Sequence, residues 1–280
     1  MIVFRPRQQF NRFLRRVTGY QLQKLDGVDP QIHVYDHTEK TKAPRYIDIG
    51  AGTRIHPLWH GIDNPRTDYG KSNWSDIRLD LTAGEPWPIA SGSVDLAYTS
   101  HTIEHLNDRF NAEMFRETFR VLRPGGLFRL ACPNIDLYAE AYERGDEHFL
   151  RHDLGKNQKL HVTAEQIFLD TFAGPLSVFH RENDVPKVGD GEFRELHRKL
   201  NRTEFLNALC QRIPDEIVRK YPKEHKTWLS VEKLISMLRA AGFSKAYRSA
   251  YGQSCSPMMR NTDYFDFRHP NISLYVEAGK

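Results

Sequence analysis

The chain has 280 residues, with 40 Lys and Arg against 36 Asp and Glu, for a net charge of +4. That length allows one large domain or two small ones and a core that needs no disulfide or metal staple. The small basic excess does not by itself imply nucleic-acid binding, and a mean hydropathy of −0.62 describes a well-hydrated surface. In chain order, residues 1–42 come first, basic and helical in pattern. Phe10, Phe13, Leu14 and Val17 fall at i, i+3, i+4 and i+7, while Arg12, Arg15 and Arg16 face elsewhere. Residues 1–25 hold six basic and no acidic side chains. Such a helix docks on its own domain or a partner, or lies on an anionic membrane surface.

Residues 43–134 alternate short apolar runs with helical stretches. Tyr46–Ile49 reads as a buried strand ending at Gly50-Ala51-Gly52. A short apolar strand ends at Asp63, and Ile77–Leu81 and Val94–Tyr98 are further strand candidates. A helix with Phe115, Phe119 and Leu122 on one face follows, stopped by Pro124-Gly125-Gly126. Leu127–Cys132 is the next strand. This alternation predicts an α/β fold, a parallel sheet with helices on both faces, which binds ligands at the carboxyl ends of its strands. Residues 135–224 read as polar and mostly helical, with loops around Gly189–Gly191. Residues 225–280 hold one amphipathic helix through Leu234, Leu238 and Ala241, closed by Gly242, and strand-like runs at Phe243–Ala250 and Ile272–Val276.

The glycine turn follows a strand directly. Gly50-Ala51-Gly52 lets backbone N–H groups approach a ligand that a Cβ would exclude. The dinucleotide fingerprint asks for a third glycine, where this chain has Ile55. Two later acids sharpen the signal. Asp63 can accept two hydrogen bonds from a ribose diol, and Asp80 can accept from an adenine amine with Leu81 against the ring. Locally, Asp63-Asn64-Pro65 is also a turn initiator and Asp80 a cap.

These stretches, IDIGAG, GID, LDL, PWPIASGSVDLAYTSHTIEHL and FRVLRPGGLFRLACPN, together resemble a class I S-adenosylmethionine-dependent methyltransferase. The closest flavour is the methyltransferase-domain type met in surface-glycan and other polysaccharide pathways. The resemblance spans 44–134 and resumes more loosely over 225–280. It implies a doubly wound, mostly parallel seven-stranded sheet of the Rossmann-like methyltransferase kind. It implies S-adenosyl-L-methionine as cofactor, with Asp48, Gly50, Ala51, Gly52 and Ser100 around it, Asp63 at the ribose, and Asp80 and Leu81 at the adenine. Residues 43–134 become the cofactor-binding core, 135–224 a helical insert forming an acceptor lid, and 225–280 the closing part of the core. Only eleven positions separate Gly52 from Asp63, and Pro57 interrupts them, so a full first helix does not fit.

Ser100-His101-Thr102-Ile103-Glu104-His105 follows the third long strand. His101, Glu104 and His105 at i, i+3 and i+4 share one face of an expected helix start. In the resembled family this stretch closes over the methyl group. Methyl transfer to a hydroxyl needs alignment and a destination for the proton, which a histidine near neutral pKa provides. His225, before the last helix, is the best distant partner. The set also resembles the magnesium site of small-RNA 2′-O-methyltransferases, with His101 in place of a glutamate. A divalent metal on His101, Glu104, His105 and His225 is therefore an alternative to acid–base work, and two histidines suit a softer ion than magnesium. His161, His180 and His197 fit no pattern and are read as surface or pocket-wall residues. Tyr138, Tyr142, Phe149, Phe168, Phe172 and Phe179 offer stacking faces for sugar or lipid, or plain core.

The expected function is O-methylation of a small-molecule, saccharide or glycolipid acceptor, with no nucleic acid partner. Methylation of RNA, a phosphate or an amine, and a non-catalytic cofactor-binding or scaffold role, are the competing readings. Cys132, Cys210 and Cys255 lie far apart with no CxxC pair, and the chain shows neither an apolar span nor a secretory leader. These features lead to the expectation of a cytoplasmic protein, peripheral to the inner membrane face if the basic helix binds lipid.

Overall fold

The computed structural model describes residues 35–37, 39–64, 75–151, 162–180 and 182–280. The basic helix expected over residues 1–25, and His161, lie outside the described residues. The chain divides into two compact units, residues 1–36 and 37–280, and every strand of the described residues belongs to the second.

Seven strands form one sheet in the order β3-β2-β1-β4-β5-β7-β6. They are β1 Tyr46–Ile49, β2 His60–Asp63, β3 Ile77–Arg78, β4 Val94–Ser100, β5 Leu122–Pro133, β6 Lys245–Ser249 and β7 Ser273–Gly279. The five strands from β3 to β5 run parallel. β7 runs antiparallel to β5 on one side and to β6 on the other. Every residue of β1 is buried and β4 is buried almost throughout, as expected where helices cover both faces. Helix α1, Asp108–Val121, packs Phe110, Met114, Phe115 and Val121 inward and is capped by Asn107, whose side chain accepts from the Phe110 N–H.

Three boundaries differ from the expected ones. β3 stops at Arg78, because the Asp80 carboxylate accepts from both the N–H and the hydroxyl of Thr82 and closes a turn. The helix gives way to β5 at Leu122, so Pro124-Gly125-Gly126 lies inside the strand segment. There Val94 pairs with Leu122 and Leu96 with Leu127, and the surplus residues bulge out of the ladder. Gly189 is the N-cap of a helix, Asp190–Lys199, where a loop was expected.

Among the described residues of 135–224, the α-helices are α2 Ile135–Arg144, α3 Glu147–Leu150, α4 Ala164–Ala173, α5 Asp190–Lys199, α6 Arg202–Cys210 and α7 Asp215–Lys220. Phe168 and Phe172 are fully buried and pack with Phe193 and Phe205. They are core, which removes them as stacking faces. Helix α8, Val231–Ala240, is capped by Ser230 and leads into the β6–β7 hairpin.

The loop from Ala250 to Ile272 is held by buried charge. The Arg129 guanidinium, on β5, is completely buried and donates to both Asp266 oxygens (3.1 and 2.5 Å) and to Glu277 Oε1 (3.1 Å). Asp266 also accepts from the Gly252 N–H at 2.9 Å, and its own N–H donates to the Tyr98 hydroxyl at 2.6 Å. Apart from the Gly252 bond, these contacts span 137 to 168 residues of sequence, and they fix the loop that carries Arg268 and His269 against the sheet.

Candidate functional site

The glycine turn closes the carboxyl ends of β1 and β2. The N–H groups of Gly50 and Ala51 donate to the Ile62 carbonyl at 2.8 and 3.1 Å. Gly50 and Gly52 both have positive φ, +67° and +59°. A Cβ on Gly50 would lie 2.2 Å from the Thr102 Oγ1, whereas one on Gly52 would, among the described residues, meet nothing nearer than Asp63 Oδ2 at 4.0 Å. Gly50 therefore lets the turn lie against the segment after β4. Both backbones disfavour alanine, but only Gly50→Ala adds a clash. It should cost more than the ~1–3 kcal/mol of backbone strain alone, and Gly52→Ala should cost less. Melting temperatures of the two variants check the order, and equal losses contradict it.

Asp63 Oδ2 accepts from the Gly52 N–H at 2.5 Å and Oδ1 from the Asn64 N–H at 2.7 Å. The acid thus braces the turn, and each oxygen keeps a second lone pair for a ligand hydroxyl. Asp48 is 8% exposed and grips Arg54 through two bonds of 2.9 and 2.7 Å. Burial raises the Asp48 carboxyl above its ordinary value despite the guanidinium. The same guanidinium reaches the carbonyls of Ser100 (3.1 Å) and Gly50 (3.2 Å), tying β4 to the turn. No helix forms between β1 and β2, as the short spacing predicts. Asp80 is engaged with Thr82, and Leu81 packs half-buried on the core.

The segment after β4 corrects the expected helix start. Ile103–His105 is a single 3₁₀ turn and the α-helix begins only at Asp108. His101 precedes this turn by two residues, and its Nδ1 comes within 3.1 Å of Glu104 Oε1. His101 takes φ +51°, a left-handed backbone at a non-glycine. Its Nε2 lies 2.8 Å from the Ser273 hydroxyl, which itself donates to the His269 carbonyl. His101 therefore donates to Ser273 through Nε2.

Three side chains from two segments, Glu104 and His105 of this turn and His225 before α8, converge here. His105 and His225 meet ring to ring, 4.9 Å between centroids. His105 Nε2 lies 4.0 Å from Glu104 Oε1. His105 Nδ1 faces the Glu224 carbonyl at 3.2 Å and His225 Nδ1 the Thr171 carbonyl at 3.0 Å. The Lys226 N–H donates to the Glu104 carbonyl and the Gly174 N–H to the His225 carbonyl, stitching the His225 segment to both sides. Burial alone would raise the Glu104 carboxyl, but its contact with His101 and the nearby imidazoles outweigh it and hold it at about 2. Burial pushes His105 down to about 4, with His225 and Lys226 adding to the effect against Glu104. The face is an ionised carboxylate beside a neutral His105.

Sequence reasoning missed the support behind this face. Glu224 and Lys226 flank His225, and a charged pair around a histidine was the available signal. Lys226 is completely buried and its ammonium donates to the Tyr221 and Glu224 carbonyls; burial pushes it down to about 7. His180, read as a surface or wall residue, lies 2.8 Å from Asp170 Oδ1 and 3.2 Å from Glu224 Oε1. Burial lowers it, but the two carboxylates win and raise it to about 10. A histidine raised in the folded state stabilises fully below its unfolded pKa of about 6.5, and the contribution is lost as pH climbs through 10. The stability gap between wild type and His180→Gln should therefore shrink from pH 6.5 to pH 10 in urea titrations. A gap that stays constant over that range contradicts the ion pairs. His197 packs against Tyr142 and Phe205, away from this face.

The strand order, with an antiparallel seventh strand beside β5 and the glycine turn at the carboxyl ends, defines a Rossmann-like methyltransferase fold. Residues 60–130 match the family described as "Methyltransferase domain". A protein of Mycolicibacterium smegmatis described as a "Probable S-adenosylmethionine-dependent methyltransferase" is 37% identical over 70 residues. That match takes in 25% of this chain and 23% of the relative, about a quarter of each. Among solved structures, an S-adenosylmethionine-dependent methyltransferase from Mesorhizobium loti is 15% identical over 84% of this chain and 90% of its own, with a TM-score of 0.39. One from Archaeoglobus fulgidus is 12% identical over 98% and 94%, with a TM-score of 0.38. Among the described residues, no helix is long and apolar enough to cross a membrane.

Proposed function

We propose that this chain is an S-adenosylmethionine-dependent methyltransferase that methylates a hydroxyl of a saccharide or glycolipid. The observation that carries this reading is one convergence. The glycine turn at β1 and the Glu104–His105–His225 face meet across the segment that follows β4. Gly52, uncrowded among the described residues, and Asp63, Asp80 and Leu81 near the ends of β2 and β3 suit a nucleoside cofactor. When bound, the cofactor supplies an electrophilic methyl group; the protein's residues position the acceptor and receive its proton. A hydroxyl needs such a destination, and the acceptor face offers imidazole lone pairs beside a carboxylate. The saccharide class rests on the motif order shared with glycan-pathway methyltransferases. Residues 135–224 supply the Thr171 and Glu224 carbonyls that orient both imidazoles, which supports their role as the acceptor lid. Three free cysteines support a cytoplasmic setting.

The test incubates the full chain with methyl-labelled S-adenosylmethionine and cell extract separated into glycolipid and oligosaccharide, RNA, and amine pools. Alkali-stable label in the saccharide or glycolipid pool is expected. Label confined to RNA or amines overturns the acceptor class, and no label in any pool overturns the activity.

A further inference from the structure

Resting on that reading of the site, we infer that Glu104, His105 and His225 together hold a divalent metal ion of the borderline class, such as Mn²⁺, Fe²⁺, Co²⁺ or Zn²⁺. One carboxylate oxygen and two imidazole Nε2 atoms are the ligands. The tautomers carry the first part of the argument. A backbone carbonyl only accepts, so the Nδ1 atoms that face Glu224 and Thr171 must bear the protons. Each Nε2 is left with a lone pair. An imidazole whose outer nitrogen donates to a carbonyl is the arrangement found behind metal-ligating histidines, where it fixes ring orientation and ligand basicity.

The carboxylate carries the second part. Glu104 is 1% exposed, and neither oxygen makes a hydrogen bond among the described residues. His101 Nδ1 lies 3.1 Å from Oε1, a charge pair only when that imidazole is protonated. Buried charges are ordinarily paired, hydrogen-bonded or bound to a metal. One oxygen of Glu104 and one ring nitrogen each of His105 and His225 lie within 4.8 Å of one another, with His105 Nε2 4.0 Å from Glu104 Oε1. Ligands at ~2.1 Å from one ion stand roughly 3–3.5 Å apart, so side-chain rotations of about 1 Å close the shell. Beside Glu104 lies a cavity of about 10 Å³, bordered by Tyr138, Thr171, Thr227 and Trp228. That is room for one water-sized group.

The structure also changes the ligand set suggested by the sequence. His101 spends Nε2 on Ser273 and turns Nδ1 to Glu104, so it orients the carboxylate and is not a ligand. Two imidazoles with one carboxylate favour a borderline ion over Mg²⁺. Three protein ligands leave coordination positions open to an acceptor hydroxyl, whose acidity the ion would raise.

The experiment strips the full chain with chelator, confirms folding by circular dichroism, and adds Co²⁺ without any cofactor, following visible absorption. Wild type should bind one Co²⁺ per chain. His225→Gln and His105→Gln, if folded, should bind more weakly than the 10–100-fold that an outer-shell loss costs. His101→Gln should still take up one ion. If His105→Gln does not fold, His225→Gln and Glu104→Gln carry the test. Folded wild type that binds no Co²⁺, or ligand variants that bind as wild type does, would overturn the site. Calorimetry with S-adenosylhomocysteine on the same stripped sample reads the cofactor site separately, so failure of the metal proposal and failure of the methyltransferase reading are distinguishable.

Discussion

Replacing Arg129 with methionine should destabilise the protein by about 3–5 kcal/mol, the usual cost of breaking a buried ion pair from one side. The variant would leave Asp266 and Glu277 buried without the guanidinium that both face. For a domain of this size that corresponds to a melting temperature lower by roughly 10 °C. The double variant Arg129→Met with Glu277→Gln removes one of the stranded charges and should recover part of the loss. Thermal melts of the three proteins decide it. A single variant within a degree or two of wild type would mean that the network does not hold the 250–272 loop. Arg268 and His269 ride on that loop, and His101 meets the His269 ring at 5.0 Å. Cofactor affinity and turnover should therefore fall before the global melt is reached.

His105→Gln and His225→Gln should each lower turnover by about 10²–10⁴-fold, whether the imidazoles receive a proton or hold an ion. Affinity for S-adenosylhomocysteine should change little, because neither ring takes part in the glycine turn or its acids. Single-turnover rates and calorimetry on the same preparations measure both quantities. Loss of cofactor binding together with rate would make the two histidines structural. Near-full turnover in the double variant would leave positioning as the sole source of catalysis at this face.

Much of the sheet was legible because β1 and β4 are buried almost throughout, so Tyr46–Ile49 and Val94–Tyr98 stand out as short apolar runs. The glycine turn was legible for a related reason, since positive φ at Gly50 and Gly52 favours that residue type. The errors have local causes. Pro124-Gly125-Gly126 reads as the stop of the helix before a strand at Leu127, but a strand can bulge, and here it does so against Val94 and Leu96. The spacing of His101, Glu104 and His105 fits a helix face and a 3₁₀ turn equally well over a single turn. Asn107, a good cap one residue before Asp108, was the overlooked marker of the true helix start.

The rest of the candidate site was illegible for a different reason. Buried charged groups such as Lys226 and Glu224 follow no periodicity. Arg129 finds its partners 137 and 148 residues away, and His101 finds Ser273 172 residues away. Such pairings are products of topology: β5 and β7 must lie side by side before they exist. The convergence of His105 with His225 was anticipated only through a resemblance. The carbonyls that set both tautomers come from α4 and from the residue before His225, which no motif connects.

The cofactor site is the foundation of this reading, and calorimetric titration with S-adenosylhomocysteine tests it most directly. The full chain should bind one equivalent saturably. Asp63→Ala, which removes up to two charge-assisted hydrogen bonds to the ribose at roughly 1.5–3 kcal/mol each, should bind at least about tenfold more weakly. Folded wild type that gives no saturable heat would contradict the assignment of this fold to methyl transfer, and equal affinity in the variant would contradict the role of Asp63.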